Sequence, residues 1–248
     1  MPRQGRRKSR SGIYHIMLRG INRQQIFEDK EDFDKYIDVL KDCKAVSGFE
    51  LYAYCLMGNH IHLLLKPVNE PLELIFKRIG SRYVYWYNRK YGRTGHLFQD
   101  RFKSEPVDTD EYFLTVLRYI HNNPKKARLC SDVYGYEYSS AEAYRLGKSA
   151  YVDLGFALQI VKKDELLEFL NEPSEEVCMD LETDSVRLSD SEAITIIRKV
   201  TGINNSHEIQ NLETAKRDLI LKRLRQNGIS IRQISRLTGV SFNVVRKF

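Results

Sequence analysis

The stretch FELYAYCLMGNHIHLLLK, from Phe49 to Lys66, lies at the centre of the predicted sheet. Two apolar runs flank Met57–Asn59, and β-rich runs separated by Gly and Asn are typical of a hairpin. Successive side chains on a strand point to opposite faces, so His60 and His62 share one face. Two imidazoles on one strand face can form half of a metal site. They can equally be a polar strand face in contact with water.

The segments around this hairpin show alternating strand and helix patterns. Apolar residues at helical spacing predict one helix from about Lys30 to Val46 and another from Pro71 to about Tyr91. A third helix starts after Asp108 and stops at Asn122-Asn123-Pro124. Residues 13–18 and 102–107 complete the strands. The order strand-helix-strand-strand-helix-strand predicts an α+β fold with a ferredoxin-like, split βαβ antiparallel sheet.

Four regions follow from the composition of the chain. Residues 1–11 are a basic and mobile arm, and residues 12–150 form the α+β domain. Residues 151–205 are an acidic helical linker, and residues 206–248 form a small all-α domain. Apolar residues on both sides of Gly239 predict a helix-turn-helix that presents Asn243, Arg246 and Lys247 to duplex DNA; the alternative is a plain helical hairpin.

Charge and cysteine content narrow the class of protein. The formal net charge is +7, which favours an anionic partner such as nucleic acid. The four cysteines have no C-x-x-C spacing, so neither a zinc ribbon nor a disulfide framework is indicated. No apolar run approaches the ~20 residues of a membrane span, and the basic N-terminus is not followed by the apolar region of a secretory signal. We therefore expect a cytoplasmic protein with no membrane partner.

The third helix carries residues that suit phosphodiester chemistry. Tyr119 and Asn123 stand four residues apart and so share a helix face. If this face packs beside the His60 strand, a phenol and an amide join two imidazoles. Such a donor set leaves open positions for a divalent ion, and the amide oxygen favours Mg²⁺ or Mn²⁺, although imidazoles alone do not exclude zinc. With a metal to polarise the phosphate, the Tyr119 oxygen can attack it and form a phosphotyrosyl ester.

Several motifs resemble one known family in collinear order. His60-Ile61-His62 resembles the His-hydrophobe-His signature of single-tyrosine transposases. Three further segments resemble the REP-associated tyrosine transposases, and with the hairpin they span residues 11–147: LRGINRQ (18–24), GHLFQDRF (95–102) and RYIHNNP (118–124).

This resemblance implies a metal-dependent endonuclease and strand transferase that acts on single-stranded DNA at hairpins of REP-like palindromes. Tyr119 matches the family's nucleophile, and His60 and His62 match its metal ligands. Asn123 stands where classical relatives often have a glutamine, one methylene longer. Cleavage then leaves a 5′-phosphotyrosine and a free 3′-OH. Relatives that exchange the tyrosine helix are dimers, whereas a site built within one chain permits a monomer.

Basic and amide side chains supply the predicted DNA contacts. By analogy with the family, a loop reads a short guide sequence beside the hairpin; the alternative is an ordinary surface loop. The residues of this loop are Arg19, Asn22, Arg23 and Gln24. Arg101 and Lys103 are expected to contact phosphates, because most protein–DNA hydrogen bonds go to the backbone.

Two other functions compete with the strand transferase. One is a catalytically silent protein that binds DNA hairpins or operators, as a domesticated transposase would. The other is a zinc hydrolase, which is disfavoured because a catalytic zinc usually has three protein ligands and a bound water. The presence of Tyr119 together with His60 and His62 favours the transferase.

Overall fold

A computed structural model of the chain describes residues 6–172, 178, 190–203, 206–229 and 231–247. Residues 1–5 of the predicted arm and 173–177, 179–189 and 204–205 of the predicted linker lie outside the described residues. The chain divides into two units, Met1–Met179 and Asp180–Phe248.

The first unit is built on a four-stranded antiparallel sheet. Its strands, in chain order, are β1 (Tyr14–Arg19), β2 (Glu50–Met57), β3 (His60–Lys66) and β4 (Lys103–Pro106). They are arranged in the order β2-β3-β1-β4, with β3 and β1 in the centre. Both central strands are almost entirely buried. This order and the antiparallel pairing confirm the predicted ferredoxin-like sheet.

Two long helices connect the strands, namely α1 (Lys30–Ser47) and α2 (Leu72–Lys90). Asp29 and Asp32 form a reciprocal capping box at the start of α1, and Gly48 ends the helix in the left-handed conformation. Pro71 precedes the first residue of α2, where its missing N–H has no helical partner to lose. Local sequence signals therefore set both ends of α1 and the start of α2.

Helix α3 (Asp110–Lys126) follows β4 and packs against β2 and β3. Thr109 caps it by accepting a hydrogen bond from the Tyr112 N–H. The predicted stop at Pro124 is wrong, because the helix continues two residues beyond the proline. A proline this close to the end removes only one N–H from the helical ladder, and Ala127 N–H still bonds to the Asn123 carbonyl.

Three shorter helices complete the first unit: α4 (Ala141–Leu146), α5 (Gly155–Ile160) and α6 (Lys163–Asn171). Their apolar residues Ala157, Leu166 and Leu170 are fully buried in the same core as the sheet. The division at 179/180 therefore differs from the predicted domain boundary at 150/151. On α6, Asp164, Glu165 and Glu168 are exposed, whereas Leu166 and Leu170 pack inward.

The second unit has its own apolar core and four described α-helices. They are α7 (Asp190–Thr201), α8 (Thr214–Gln226), α9 (Ile231–Thr238) and α10 (Phe242–Val245). Gly239, in the left-handed conformation, turns the chain between α9 and α10, which contact each other. This agrees with the predicted small all-α domain. Across the parts of the chain that the structure describes, no helix combines the length and apolar character needed to span a bilayer.

Candidate active site

Strand register gathers histidines on one face of the sheet. His60 and His62 alternate along β3, and the antiparallel pairing sets Arg19 opposite His60 and Met17 opposite His62. His15, two residues before Met17, points to the same face and lies diagonally across from His62. His15 Nε2 is 3.1 Å from His62 Nδ1, and both side chains are fully buried.

Tyr119 on α3 covers this face. Its ring meets the rings of His62 and His15 edge-on, with centroid separations of 5.7 and 5.8 Å. The residue is only 2% exposed. Thus the helix that follows β4 brings the predicted nucleophile onto His62, one of the two predicted metal ligands.

The histidine pair has features of a metal-binding site. His60 Nδ1 lies 2.7 Å from Asn59 Oδ1, a contact that leaves Nε2 as the ligand atom if the amide oxygen accepts the Nδ1 proton. His62 Nε2 is buried and has no hydrogen-bond partner among the described residues. Burial lowers the pKa of His62 well below its ordinary value, with His60 and then His15 adding to the shift, so the ring is in the neutral form that binds metals.

These two histidines do not form a complete metal site by themselves. Within the described residues, no group of three or more His, Cys, Asp and Glu side chains could hold a metal ion. The donor set fits a divalent ion that takes its other ligands from amide, water or phosphate oxygens. It does not fit the three-ligand zinc centre of the disfavoured hydrolase hypothesis.

Asn123, the predicted third ligand, lies one helical turn after Tyr119. Its Nδ2 donates a hydrogen bond of 2.9 Å to the Tyr119 carbonyl oxygen, and the side chain is half-buried. The amide is therefore anchored to the backbone of the residue that carries the phenol. Its role as a ligand stays a prediction.

Three residues near Tyr119 were not predicted from the sequence. His15 separates His62 from Glu105, whose Oε2 lies 3.6 Å from His15 Nδ1. The Lys126 ammonium lies 5.0 Å from the centroid of the Tyr119 ring. His15 and Glu105 depend on strand register, which the sequence does not give. Lys126 lies beyond the predicted end of its helix.

The loop of predicted guide-reading residues is held beside His60. Gly20 N–H donates to the Asn59 carbonyl, and Asn59 Nδ2 donates to the Arg23 carbonyl. Asn22 and Arg23 have positive φ and are exposed, whereas Gln24 is partly buried and accepts from Arg93. The loop is thus fixed at the same end of the sheet as the metal-ligand candidates, with two exposed side chains that can contact a ligand.

The basic arm differs from the predicted mobile segment over residues 6–11. Asp108 accepts hydrogen bonds from the backbone of Arg10 and Ser11 and from the Ser9 hydroxyl. Arg6 pairs with Glu73 and its guanidinium lies over the Phe102 ring. These contacts fix the arm against the edge of the sheet that is formed by β4.

A basic cavity of about 550 Å³ lies beneath the arm. Four cations line it, together with Tyr14 and Ser104, which face away from the histidines according to the strand register. The four are Arg6, Arg7, Lys8 and Arg101. Lys103, in contrast, is exposed on β4 opposite Met17, on the histidine face. The two predicted phosphate contacts therefore lie on opposite faces of the sheet.

The three predicted contacts of the second unit are all exposed. Asn243 lies on α10, and Arg246 and Lys247 follow that helix directly. Helix α10 has only four residues, so it forms little more than one turn.

Two other titratable side chains on α3, those of Tyr112 and His121, lie outside the site. Tyr112 packs near Glu105 and hydrogen-bonds to it; burial and then this bond raise the pKa of its phenol. His121 Nε2 lies 2.8 Å from Ser140 Oγ, and burial lowers its pKa to about 3. His121 points away from the Tyr119 face, as the helical spacing predicts.

The chain is similar to one known protein family and to two solved structures. Residues 8–123 match a family described as Transposase IS200 like. The structure of a REP-associated tyrosine transposase bound to a REP hairpin is similar to the chain, with a TM-score of 0.51 and 15% identity over 62% of this chain and 90% of that one. A candidate transposase from Deinococcus radiodurans R1 is 23% identical over 44% of this chain and 88% of that one, with a TM-score of 0.34. No curated protein matches the chain.

Proposed function

Because residues 8–123 match the IS200-like transposases and the chain shares the fold of a REP-associated tyrosine transposase, we propose that it cuts and rejoins single-stranded DNA at hairpins. The family and the fold support a transposase-like role in DNA processing. The observation that carries the finer proposal is the contact of Tyr119 with His62, since it unites a nucleophile and a metal ligand from distant parts of the chain.

Tyr119 would act as the nucleophile. Its oxygen attacks a DNA phosphorus, the bond from phosphorus to the 3′ oxygen breaks, and the chain retains a 5′-phosphotyrosine. The phenol loses its proton and the departing 3′ oxygen gains one, which leaves a free 3′-OH. Because one phosphate ester replaces another, the 3′-OH of a strand can reverse the step, which suits strand transfer better than hydrolysis.

His60 and His62 would hold Mg²⁺ or Mn²⁺, with Asn123 as the candidate third protein ligand. A bound divalent ion polarises the phosphate and fixes its position. His62 contributes a neutral, buried imidazole, and His60 a half-buried ring steadied by Asn59. DNA would enter from the side of His60, since His62 and Tyr119 are both covered.

The loop beside His60, Lys103 of β4 and Arg101 just before that strand would bind the DNA. Asn22 and Arg23 are exposed next to the metal ligands, where they could read bases beside the cleaved bond. Lys103 lies on the histidine face of the sheet, and Arg101 lies with the arm on the opposite face. A DNA strand that passes the β4 edge could therefore contact both side chains. The exposed Asn243, Arg246 and Lys247 would contact duplex DNA. One chain supplies Tyr119 and both histidines, so a monomer suffices, and homodimers are compatible with it.

The burial of Tyr119 also supports a second function. A tyrosine whose ring is 2% exposed cannot reach a phosphate until the site opens. A protein in which it never opens would bind hairpins without cutting them, as a domesticated transposase would.

A covalent-capture assay separates the two functions. A 5′-labelled and a 3′-labelled DNA hairpin with single-stranded flanks are each incubated with Mn²⁺ and the full chain, and adducts are resolved on a denaturing gel. We expect an adduct for the wild type and for Tyr85→Phe, a tyrosine that is 72% exposed on α2, and none for Tyr119→Phe. If all three proteins bind the hairpin and none forms an adduct, the transferase proposal is wrong and the catalytically silent binder is supported.

A further inference from the structure

Behind His62 lies a line of polar side chains that has no part in the chemistry described above. It runs from Glu105 through His15 to His62, with Glu105 Oε2 3.6 Å from His15 Nδ1 and His15 Nε2 3.1 Å from His62 Nδ1. His15 is fully buried, and Glu105 keeps about a third of its side-chain surface exposed. Tyr112 hydrogen-bonds to Glu105.

The order of protons along this line follows from elementary imidazole chemistry. A neutral imidazole carries one N–H and one lone pair, and a carboxylate only accepts hydrogen bonds. Glu105 Oε2 is too far from His15 Nδ1, at 3.6 Å, for a hydrogen bond, and Nδ1 has no hydrogen-bond partner among the described residues. The negative charge of a carboxylate at this distance still favours the proton of His15 on Nδ1, which leaves a lone pair on His15 Nε2. That lone pair accepts the Nδ1–H of His62, and the lone pair of His62 is then on Nε2, the buried atom without a partner among the described residues.

We propose that Glu105 and His15 are positioning residues that hold His62 in the tautomer with Nε2 free to bind a metal. The inference rests on the proposed function, in that it deepens the role of His62 as a ligand. The opposite tautomer would place a hydrogen on Nε2, where it would block a metal. Substitution of an outer residue that orients a histidine ligand in this way typically lowers metal affinity by 10- to 100-fold.

The register of the sheet explains why these residues can act together. Glu105 pairs directly with His15 across β1 and β4, and His62 lies diagonally across the β1 and β3 pair. All three side chains therefore stand on one face, so the line is held by backbone pairing rather than by a mobile loop. Tyr112, which takes no part in the proposed chemistry, hydrogen-bonds to Glu105 and so acts as its anchor.

The direct test is the tautomer itself, measured by nitrogen-15 NMR of the imidazoles in the metal-free full chain. We expect His62 and His15 each to carry the proton on Nδ1, and we expect Glu105→Ala to weaken that preference. A wild-type His62 protonated on Nε2 would overturn the inference. This spectrum needs no metal, DNA or variant, so it decides the question even if a substituted protein does not fold.

Metal titration supplies the second test. Mn²⁺ affinity is measured by calorimetry for the wild type, His15→Gln and His15→Leu, because the Gln amide oxygen can accept from His62 in place of Nε2 and Leu cannot. We expect at least a 10-fold loss for His15→Leu and a smaller loss for His15→Gln. A role in packing alone predicts that Leu is tolerated at least as well as Gln, and that order would contradict the proposal.

The two proposals fail separately. If His62 has the expected tautomer but the wild type forms no adduct with DNA, the transferase function is wrong and the inference about tautomers stands. If adducts form while His62 carries its proton on Nε2, the transferase stands and the inference is wrong.

Discussion

The Tyr119 ring lies edge-on against the His62 ring, with 5.7 Å between their centroids, although 56 residues of intervening sequence separate them. The contact forms because α3 packs across β2 and β3 after the chain has completed the sheet. A phenol held against a neutral imidazole in a buried site is close to the place where a metal would bind. The account of function depends on this relationship.

The two metal-ligand candidates should control Mn²⁺ binding. We expect His62→Ala and His60→Ala each to lower Mn²⁺ affinity by at least about 10-fold, because each removes one of two imidazole ligands. His96→Ala is the matched control, since His96 is exposed in the loop before β4. Calorimetry on the three variants checks this, and equal losses in all three would show that the histidine pair is not the binding site.

The basic cavity should bind phosphates in a way that depends on salt. For Lys8→Ala and Arg101→Ala we expect weaker binding to single-stranded DNA. The slope of log affinity against log salt should become shallower by about 0.7 for each phosphate that the variant no longer neutralises. Lys148→Ala removes the same charge from an exposed position after α4 and should leave the slope unchanged. Fluorescence anisotropy at several salt concentrations measures the slopes, and identical slopes for all variants would exclude the cavity as a DNA-binding surface.

Gly20 should be required by the loop beside His60. A Cβ at this position would lie 2.2 Å from the Gln24 carbonyl oxygen, so Gly20→Ala forces the backbone apart and should destabilise the fold by about 1–3 kcal/mol. Gly80 in α2 has no atom within 4 Å of its Cβ position, and Gly80→Ala should stabilise by about 0.5–1 kcal/mol. Urea unfolding gives both values, and shifts of the same sign would contradict the account.

Stability should fall below neutral pH because of His121. Its pKa is about 3 in the folded chain against 6.5 for a free imidazole, so the unfolded chain takes up the proton first as the pH falls. Neutral His121 makes its full contribution to the free energy of unfolding above pH 6.5. This contribution declines as the pH falls from there towards 3. Between pH 7.5 and 5.5 we expect the wild type to lose about 1 kcal/mol more unfolding free energy than His121→Gln, measured in urea. Equal losses of unfolding free energy in the two proteins would contradict the assignment of a lowered pKa to His121.

The sequence predicts those parts of the site that depend on local periodicity. Alternation along β3 puts His60 and His62 on one face, and helical spacing puts Asn123 one turn from Tyr119. The other residues of the site are brought together by pairing between strands that are distant in the sequence. The register of β1 against β3 and β4 brings His15 and Glu105 into line with His62, and no local pattern encodes that register.

Two errors of sequence reasoning come from strong local signals that the structure does not follow. Pro124 and the charged run of residues 6–11 carry strong local signals, for a helix stop and for a solvated arm. In the structure, Pro124 is so close to the helix end that it costs a single bond, and Asp108 supplies hydrogen bonds that fix the arm. Tertiary contacts outweigh the local preference in the arm, whereas at Pro124 the position of the proline near the end of the helix does so.

The most direct test of the account is the position of the DNA adduct on the chain. After trapping with a hairpin, nuclease trimming and tryptic digestion, cleavage at Arg118 and Lys125 isolates the peptide YIHNNPK, in which Tyr119 is the only tyrosine. We predict that mass spectrometry finds the nucleotide remnant on this peptide. A remnant on the preceding peptide, SEPVDTDEYFLTVLR, which contains Tyr112, would contradict the assignment of Tyr119 as the nucleophile.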